Sequence, residues 1–233
     1  MGQTLLAERV PTRPSADERV ASVELAATPL PYAIAKRTLD ITASALLLVL
    51  FSPVVLLVAA LVRLDSPGPV IFRQRRVGAG GRLFTFYKFR TMALDASARF
   101  PDLYAYRYTR QEFVDGLFKR PDDPRHTRLG RRLRRTSLDE LPNLFNVLKG
   151  DMSLVGPRPE LPQLVQYYLP RELEKFAVRP GVTGIHQVSG RAGVTYGQQL
   201  GMDLDYLERR SFLFDLLVLL KTVRVVVLRA GAF

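Results

Sequence analysis

The sequence predicts a mixed α/β protein, mainly helical, in which a membrane-inserted helix broken at its middle carries a compact domain with one short β-hairpin. Three features predict it. Ile41 to Val62 runs without a charge and is interrupted by Ser52-Pro53. Val70 to Met92 reads as two β-like pieces around Gly78-Ala79-Gly80-Gly81. And 34 Lys and Arg against 22 Asp and Glu leave a formal charge of +12 on a chain that is 47% hydrophobic.

The same figures exclude whole classes. With 233 residues the chain is one domain, or one domain with tails, and at 24% charged residues it is neither disordered throughout nor a coiled coil. The absence of Cys removes disulfide scaffolds, thiolate zinc sites and cysteine nucleophiles. With only His126 and His186, a histidine-rich metal site goes too, so any metal sits on oxygen. The positive excess selects an anionic partner: nucleic acid, lipid headgroups or a small phosphorylated substrate.

Residues 1–31 mix Pro11, Pro14, Pro29 and Pro31 with scattered charges and no sustained period, which predicts a mobile tail. Residues 32–64 form the membrane element. Its uncharged stretch makes a helix of about 33 Å, against a hydrocarbon core of about 30 Å. Pro53 removes a backbone donor and clashes with the carbonyl four residues back, so the helix bends there. A kinked helix that spans and one that leaves by the leaflet it entered are both open, with freed carbonyls met by Ser52 or by packed protein. Residues 65–233 form the third region. In it Glu160 to Phe176 reads as helix and Arg179 to Gly201 as irregular. Leu204 to Leu228 is apolar but broken by Asp215, Lys221 and Arg224, so it packs in the core or lies as an amphipathic helix in the membrane interface.

Six arginines fall between Arg125 and Arg135, just before Thr136-Ser137-Leu138-Asp139-Glu140-Leu141-Pro142. Such density suits phosphate or anionic lipid, or a solvated helix face. The spacing Ser137-x-x-Glu140 is a capping box; Asp139-Glu140 is equally a carboxylate nucleophile and hard-metal ligand at a positive helix end. Downstream, Pro157 and Pro159 frame Arg158, either to aim its guanidinium at a phosphate or as an ordinary turn. Lys88 and Arg90 share a strand face and suit phosphate in the same way.

Together these segments resemble the bacterial sugar transferases known as monotopic polyprenyl-phosphate phosphoglycosyl transferases, in their small form. The likeness runs from Lys36 to about Leu228. It rests on Lys36-Arg37-x-x-Asp40, the Ser52-Pro53 helix, Gly68-Pro69-Val70-Ile71-Phe72-x-Gln74-x-Arg76-x-Gly78, Lys88-Phe89-Arg90-Thr91-Met92, Asp123-Pro124-Arg125, Ser137 to Pro142, Gly150 to Pro159 and Arg179-Pro180-Gly181-x-Thr183-Gly184.

The resemblance implies an enzyme that moves a sugar 1-phosphate from a UDP-sugar to polyprenyl (undecaprenyl) phosphate and releases UMP, the first membrane step of exopolysaccharide, capsule, O-antigen or glycoprotein glycan assembly. It implies Asp139 as nucleophile and Glu140 as the Mg²⁺ ligand, with Lys88, Arg90, Arg125, Arg158 between Pro157 and Pro159, and Arg191 meeting substrate phosphates. It further implies a re-entrant helix kinked at Ser52-Pro53, monotopic in the bacterial inner membrane, with the catalytic domain on the cytoplasmic face among its lipids. The sequence departs from the family at His186 and Arg210, positions that are often Trp. Which sugar is moved and whether the chain forms a homodimer stay open.

A nucleic-acid partner is the main rival, but base stacking needs aromatics between the cations. The chain has no Trp and few aromatics between residues 121 and 144. A membrane scaffold without catalysis is the other rival, and it has no use for Asp139.

Overall fold

The computed structural model describes residues 19–20, 23–117, 123–189 and 193–227. Most of the segment expected as a tail, residues 1–18 and 21–22, lies outside them. Its described part is docked on the body: Val20 is buried, and the Ala26 amide donates to the Ala177 carbonyl at 2.9 Å.

The uncharged run forms two helices, α1 (Leu30–Leu50) and α2 (Ser52–Asp65), bent by 63°. No single helix among the described residues is long and apolar enough to cross a membrane by itself. The break falls at Phe51, and Pro53 enters the first turn of α2, where its missing amide leaves no gap. The carbonyl that Pro53 cannot serve is that of Val49. It accepts from the Ser52 hydroxyl at 2.8 Å, so the Ser-Pro pair makes the bend and repairs it.

Both helices keep one flank on the body. Val58 and Val62 pack with Phe89 and Leu133, and Leu47 and Leu48 pack on a core of Phe84, Phe86, Leu144, Val147 and Met152. Their other flank shows Leu46, Val49, Leu56 and Leu57 to the outside, all more than half exposed. The motif at the start of α1 fastens it. Arg37 donates to the carbonyls of Val147 and Leu148, Asp40 accepts from the Ser153 hydroxyl and the Leu154 amide, and Lys36 pairs with Asp215 at 2.7 Å.

The expected hairpin is present: β1 (Ile71–Val77) and β2 (Leu83–Phe89) pair antiparallel, with Phe72 opposite Lys88 and Arg76 opposite Phe84. Then come the short α3 (Ala96–Arg99) and α4 (Arg110–Asp115), followed by α5 (Arg128–Thr136) and, after a single 3₁₀ turn at Leu138–Glu140, α6 (Asn143–Lys149). The Asn146 side chain ties α6 to β2, donating to the Thr85 carbonyl and accepting from the Tyr87 amide.

A second, parallel pair joins β3 (Ser153–Val155) to β4 (Gly181–Thr183). A Cβ on Gly181 would sit 2.1 Å from the Gly156 nitrogen, so only glycine permits this approach. Between the two strands the chain is not the continuous helix expected over Glu160 to Phe176. Pro162 and Pro170 each start a new short piece, a 3₁₀ turn at Pro162–Tyr167 and α7 (Pro170–Leu173). Conversely, the stretch expected to be irregular holds β4, α8 (Ile185–Ser189) and the start of α9 (Tyr196–Arg209), whose capping box of Thr195 and Gln198 begins a helix despite Gly197 and Gly201.

The last helix, α10 (Phe212–Val227), buries Asp215 and Val218. It exposes Leu213, Leu217, Leu220, Val223 and Val227 as an apolar face.

Candidate active site

The Asp139-Glu140 pair sits on the 3₁₀ turn that follows α5. The capping box read at Ser137 does not form. Ser137 has φ 58°, a left-handed residue that ends α5, and its side chain caps nothing, because an N-cap requires extended backbone. Glu140 is thus released from the helix-start role. Its carboxylate lies 3.6 Å from the Arg158 guanidinium, while Asp139 is buried beside it.

Lys88, Arg134 and Arg158 meet the charges of this turn, with Arg76 behind them 3.9 Å from the buried Glu160 carboxylate. The negative charge of Asp139 acts on both Lys88 and Arg134, and Lys88 in turn feels Arg134, Arg76 and Arg158. Burial, reinforced by these neighbouring cations, pulls the Lys88 ammonium down to about 8, even though Asp139 opposes the shift. Lys88 reaches the site from the end of β2 and Arg76 from the facing strand β1. Paired antiparallel residues share a face, so the hairpin presents both cations on one side.

Arg134 comes from the last turn of α5. It donates to Nε2 of His126 at 2.6 Å, and the His126 Nδ1 meets the Thr91 carbonyl at 3.1 Å. Gly130 allows α5 to lie this close: a Cβ there would fall 2.0 Å from the same Thr91 carbonyl. Burial and the Arg134 charge hold His126 down to about 4, so it is neutral.

The Arg158 loop is fixed from behind. The Gly181 amide donates to the Pro157 carbonyl, Arg76 donates to the Pro159 carbonyl, and the Arg158 amide donates to Asp203 at 3.3 Å. Beneath it, buried Glu160 accepts from the hydroxyls of Tyr168 and Tyr196, and buried Lys175 pairs with Asp203 at 2.7 Å. Burial raises the Asp203 carboxyl above its ordinary range against the pull of Lys175. His186 is buried near Asp203, its Nδ1 at 3.9 Å.

Two expected phosphate ligands are directed elsewhere. Arg90 leaves the strand face it would share with Lys88. Its guanidinium turns to the end of α2, donating to the carbonyls of Val62, Ser66 and Pro67, where it closes a helix terminus. Arg125 forms a forked pair with Asp123, at 2.9 and 2.7 Å, and lies over the Tyr104 ring. Burial alone would raise the Asp123 carboxyl, but its bonds to Arg125 hold it at about 2. The fork faces Asp123, whose carboxylate is also 3.7 Å from His126, so Arg125 buttresses the His126–Arg134 pair. Arg191 lies outside the described residues.

Arg134 and Arg76 are the residues that reading the sequence passed over. Arg134 was hidden among six arginines, and its signal is its place five residues before Asp139, one turn of helix plus a left-handed residue away. Arg76 alternates with Gln74 on the inner face of β1, and its guanidinium donates to the Gln74 side chain.

As donors for a metal, Asp139 and Glu140 are adjacent hard oxygens. No group of three or more His, Cys, Asp or Glu that could hold a metal is found among the described residues. This set fits a cation such as Mg²⁺, which takes one or two protein carboxylates and completes its shell with substrate phosphate and water.

The family described as bacterial sugar transferase matches residues 31–229. The chain is 42% identical over 206 residues to a UDP-glucose:undecaprenyl-phosphate glucose-1-phosphate transferase of Caulobacter vibrioides, covering 84% of this chain and 72% of that protein. It is 41% identical over 202 residues to the galactosyl transferase CpsE of Streptococcus agalactiae, covering 86% and 44%. It is likewise 41% identical over 198 residues to an undecaprenyl-phosphate galactose phosphotransferase of Salmonella typhimurium, covering 85% and 41%. The chain thus spans less than half the length of two of these three relatives. A family match over residues 31–229, with relatives at 41–42% identity, makes this protein a member of the bacterial sugar transferase family.

Proposed function

We propose that this chain transfers a sugar 1-phosphate from a UDP-sugar to undecaprenyl phosphate through a covalent intermediate on Asp139, releasing UMP. The observation that carries the reading is the buried Asp139 carboxylate facing the charges of Lys88 and Arg134, next to a Glu140 paired with Arg158. A carboxylate nucleophile attacking a diphosphate meets like-charge repulsion, and phosphoryl transfer is catalysed mainly by positioning and charge stabilisation.

An Asp139 oxygen attacks the phosphorus that bears the sugar. The new O–P bond forms as the bond to the UMP oxygen breaks, and the electron pair leaves on UMP. An oxygen of polyprenyl phosphate then attacks the same phosphorus and frees the Asp139 carboxylate, leaving a sugar diphosphate on the lipid. Arg158 and Lys88 hold the phosphate oxygens, and Arg134, fixed by His126, steadies charge on the transferring group. Mg²⁺ held by Glu140 supplies further neutralisation of the diphosphate when bound. The reaction begins polysaccharide assembly.

The bent pair α1–α2 is read as a re-entrant element in the inner membrane, with the domain on the cytoplasmic face. Its outward apolar flank, and the fastening of its first half to the body, favour this over a span.

The test is UMP release by detergent-purified protein given undecaprenyl phosphate and, in turn, UDP-glucose, UDP-galactose and their N-acetylamino counterparts. Release with at least one donor is expected, and Asp139→Asn abolishes it. Release unchanged in Asp139→Asn removes the nucleophile assignment, and no release with any donor removes the reading.

A further inference from the structure

A second cation-lined cavity lies apart from the Asp139 turn. It measures about 280 Å³ and is bounded by Lys36, Arg37, Arg179 and Arg210 together with Tyr32 and Tyr206. Of its four cations only Lys36 has a carboxylate partner among the described residues, Asp215. The other three are held by neutral carbonyls: Arg37 by Val147 and Leu148, Arg179 by Gly150 at 3.1 Å, and Arg210 by Ala27 at 2.7 Å. The Nη1 of Arg210 is buried with no hydrogen-bond partner. Arg179 is exposed and Arg37 feels the charge of Asp40, but the buried, unmatched donor of Arg210 needs an acceptor, and an anion beside Arg210 and Arg179 supplies it.

The place of the cavity says which anion. Its walls are Leu25, Ala26 and Thr28, Ala79 of the hairpin turn, Ala177 to Arg179, the start of α1 and the junction of α9 with α10. These helices turn Leu30, Ile34, Leu213 and Leu217 outward, at 70%, 58%, 68% and 48% exposure. The cations therefore lie where the exposed apolar faces begin, the level at which a bilayer presents its phosphates. We propose that this cavity binds the phosphate of an anionic phospholipid headgroup, at a site separate from the reaction centre, with Arg210 and Arg179 as its principal ligands.

The test uses the full chain in nanodiscs of phosphatidylcholine doped with phosphatidylglycerol, extracted gently, with retained lipid counted by native mass spectrometry. Retention of one phosphatidylglycerol is expected, falling about fivefold for each cation lost in Arg210→Gln and Arg179→Gln. Arg210→Lys keeps it. Thr28→Glu, which adds a carboxylate to an exposed lining position without removing an interior contact, lowers it as well. Arg158→Ala leaves it unchanged. A parallel arm measures binding of labelled inorganic phosphate in lipid-free micelles on the Arg158→Ala background. Sensitivity to the Arg210 and Thr28 changes only in this arm assigns the cavity to a soluble phosphate. Indifference of both arms to those changes, or loss of lipid in Arg158→Ala alone, overturns the site.

Discussion

Nη1 of Arg134 lies 2.6 Å from Nε2 of His126, and because a guanidinium only donates, that nitrogen must accept. The proton is then on Nδ1, which donates to the Thr91 carbonyl. A buried neutral imidazole of this tautomer holds a cation without adding charge to a crowded positive site. Replacing it by His126→Phe is expected to lower kcat by about tenfold, the value of one hydrogen bond to a charged group, and to cost about 1–3 kcal/mol in unfolding free energy. His126→Gln, which keeps an acceptor, is expected to recover part of the loss. Steady-state kinetics of the two variants against the parent check this.

On the proposed mechanism Lys88 sets an alkaline limit to the reaction. Its ammonium titrates at about 8, so kcat/KM for the sugar nucleotide is expected to fall as pH rises past that value and the site loses a phosphate ligand. Stability moves the other way. Between about 8 and the ordinary 10.5 the unfolded chain binds more protons than the folded one, so this group's contribution to stability rises with pH through that window. In Lys88→Arg the alkaline limb of the rate profile should vanish, and in Lys88→Met both the limb and the stability trend should go.

Arg90 tests a division of labour between neighbouring cations. Its guanidinium closes the end of α2, so Arg90→Ala is expected to cost about 2–3 kcal/mol in unfolding free energy by leaving buried carbonyls unmatched. KM for the donor should stay within a factor of two well below the melting temperature. A large rise in KM without loss of stability would instead place Arg90 at the phosphates.

The chain contains no cysteine, so single cysteines report topology cleanly. Ile34→Cys and Leu64→Cys lie near the two outer ends of the bent pair, at exposed positions. Both are expected to react with an impermeant maleimide in inside-out vesicles and to be protected in intact cells. Labelling of residue 34 from the outer side would replace the re-entrant reading with a spanning one.

Much of this arrangement was legible in the residues. The uncharged run with Ser52-Pro53, the hairpin and the rigid Pro157-Arg158-Pro159 loop follow from local rules of proline, glycine and alternation. What stayed hidden depends on partners remote in sequence. Arg90 looks like a phosphate ligand until Val62, Ser66 and Pro67 come round to meet it, and Arg125 until its own Asp123 folds back. Ser137 shows the limit of a motif, since serine three residues before glutamate starts a helix only with extended backbone, and here the preceding helix ends on it. Glu160, Lys175 and Asp203 are ionisable residues in a stretch without period, and nothing local says that they are buried together.

Asp40 has a last consequence. By accepting from Ser153 and Leu154 it rivets the middle of α1 to β3, and three residues beyond Val155 the same strand delivers Arg158. The Arg158 guanidinium is therefore set at a constant offset from the bent helix. On the proposed re-entrant reading the chain carries its own depth gauge, and its turnover is expected to be indifferent to acyl-chain length over a range in which spanning enzymes must tilt or compress.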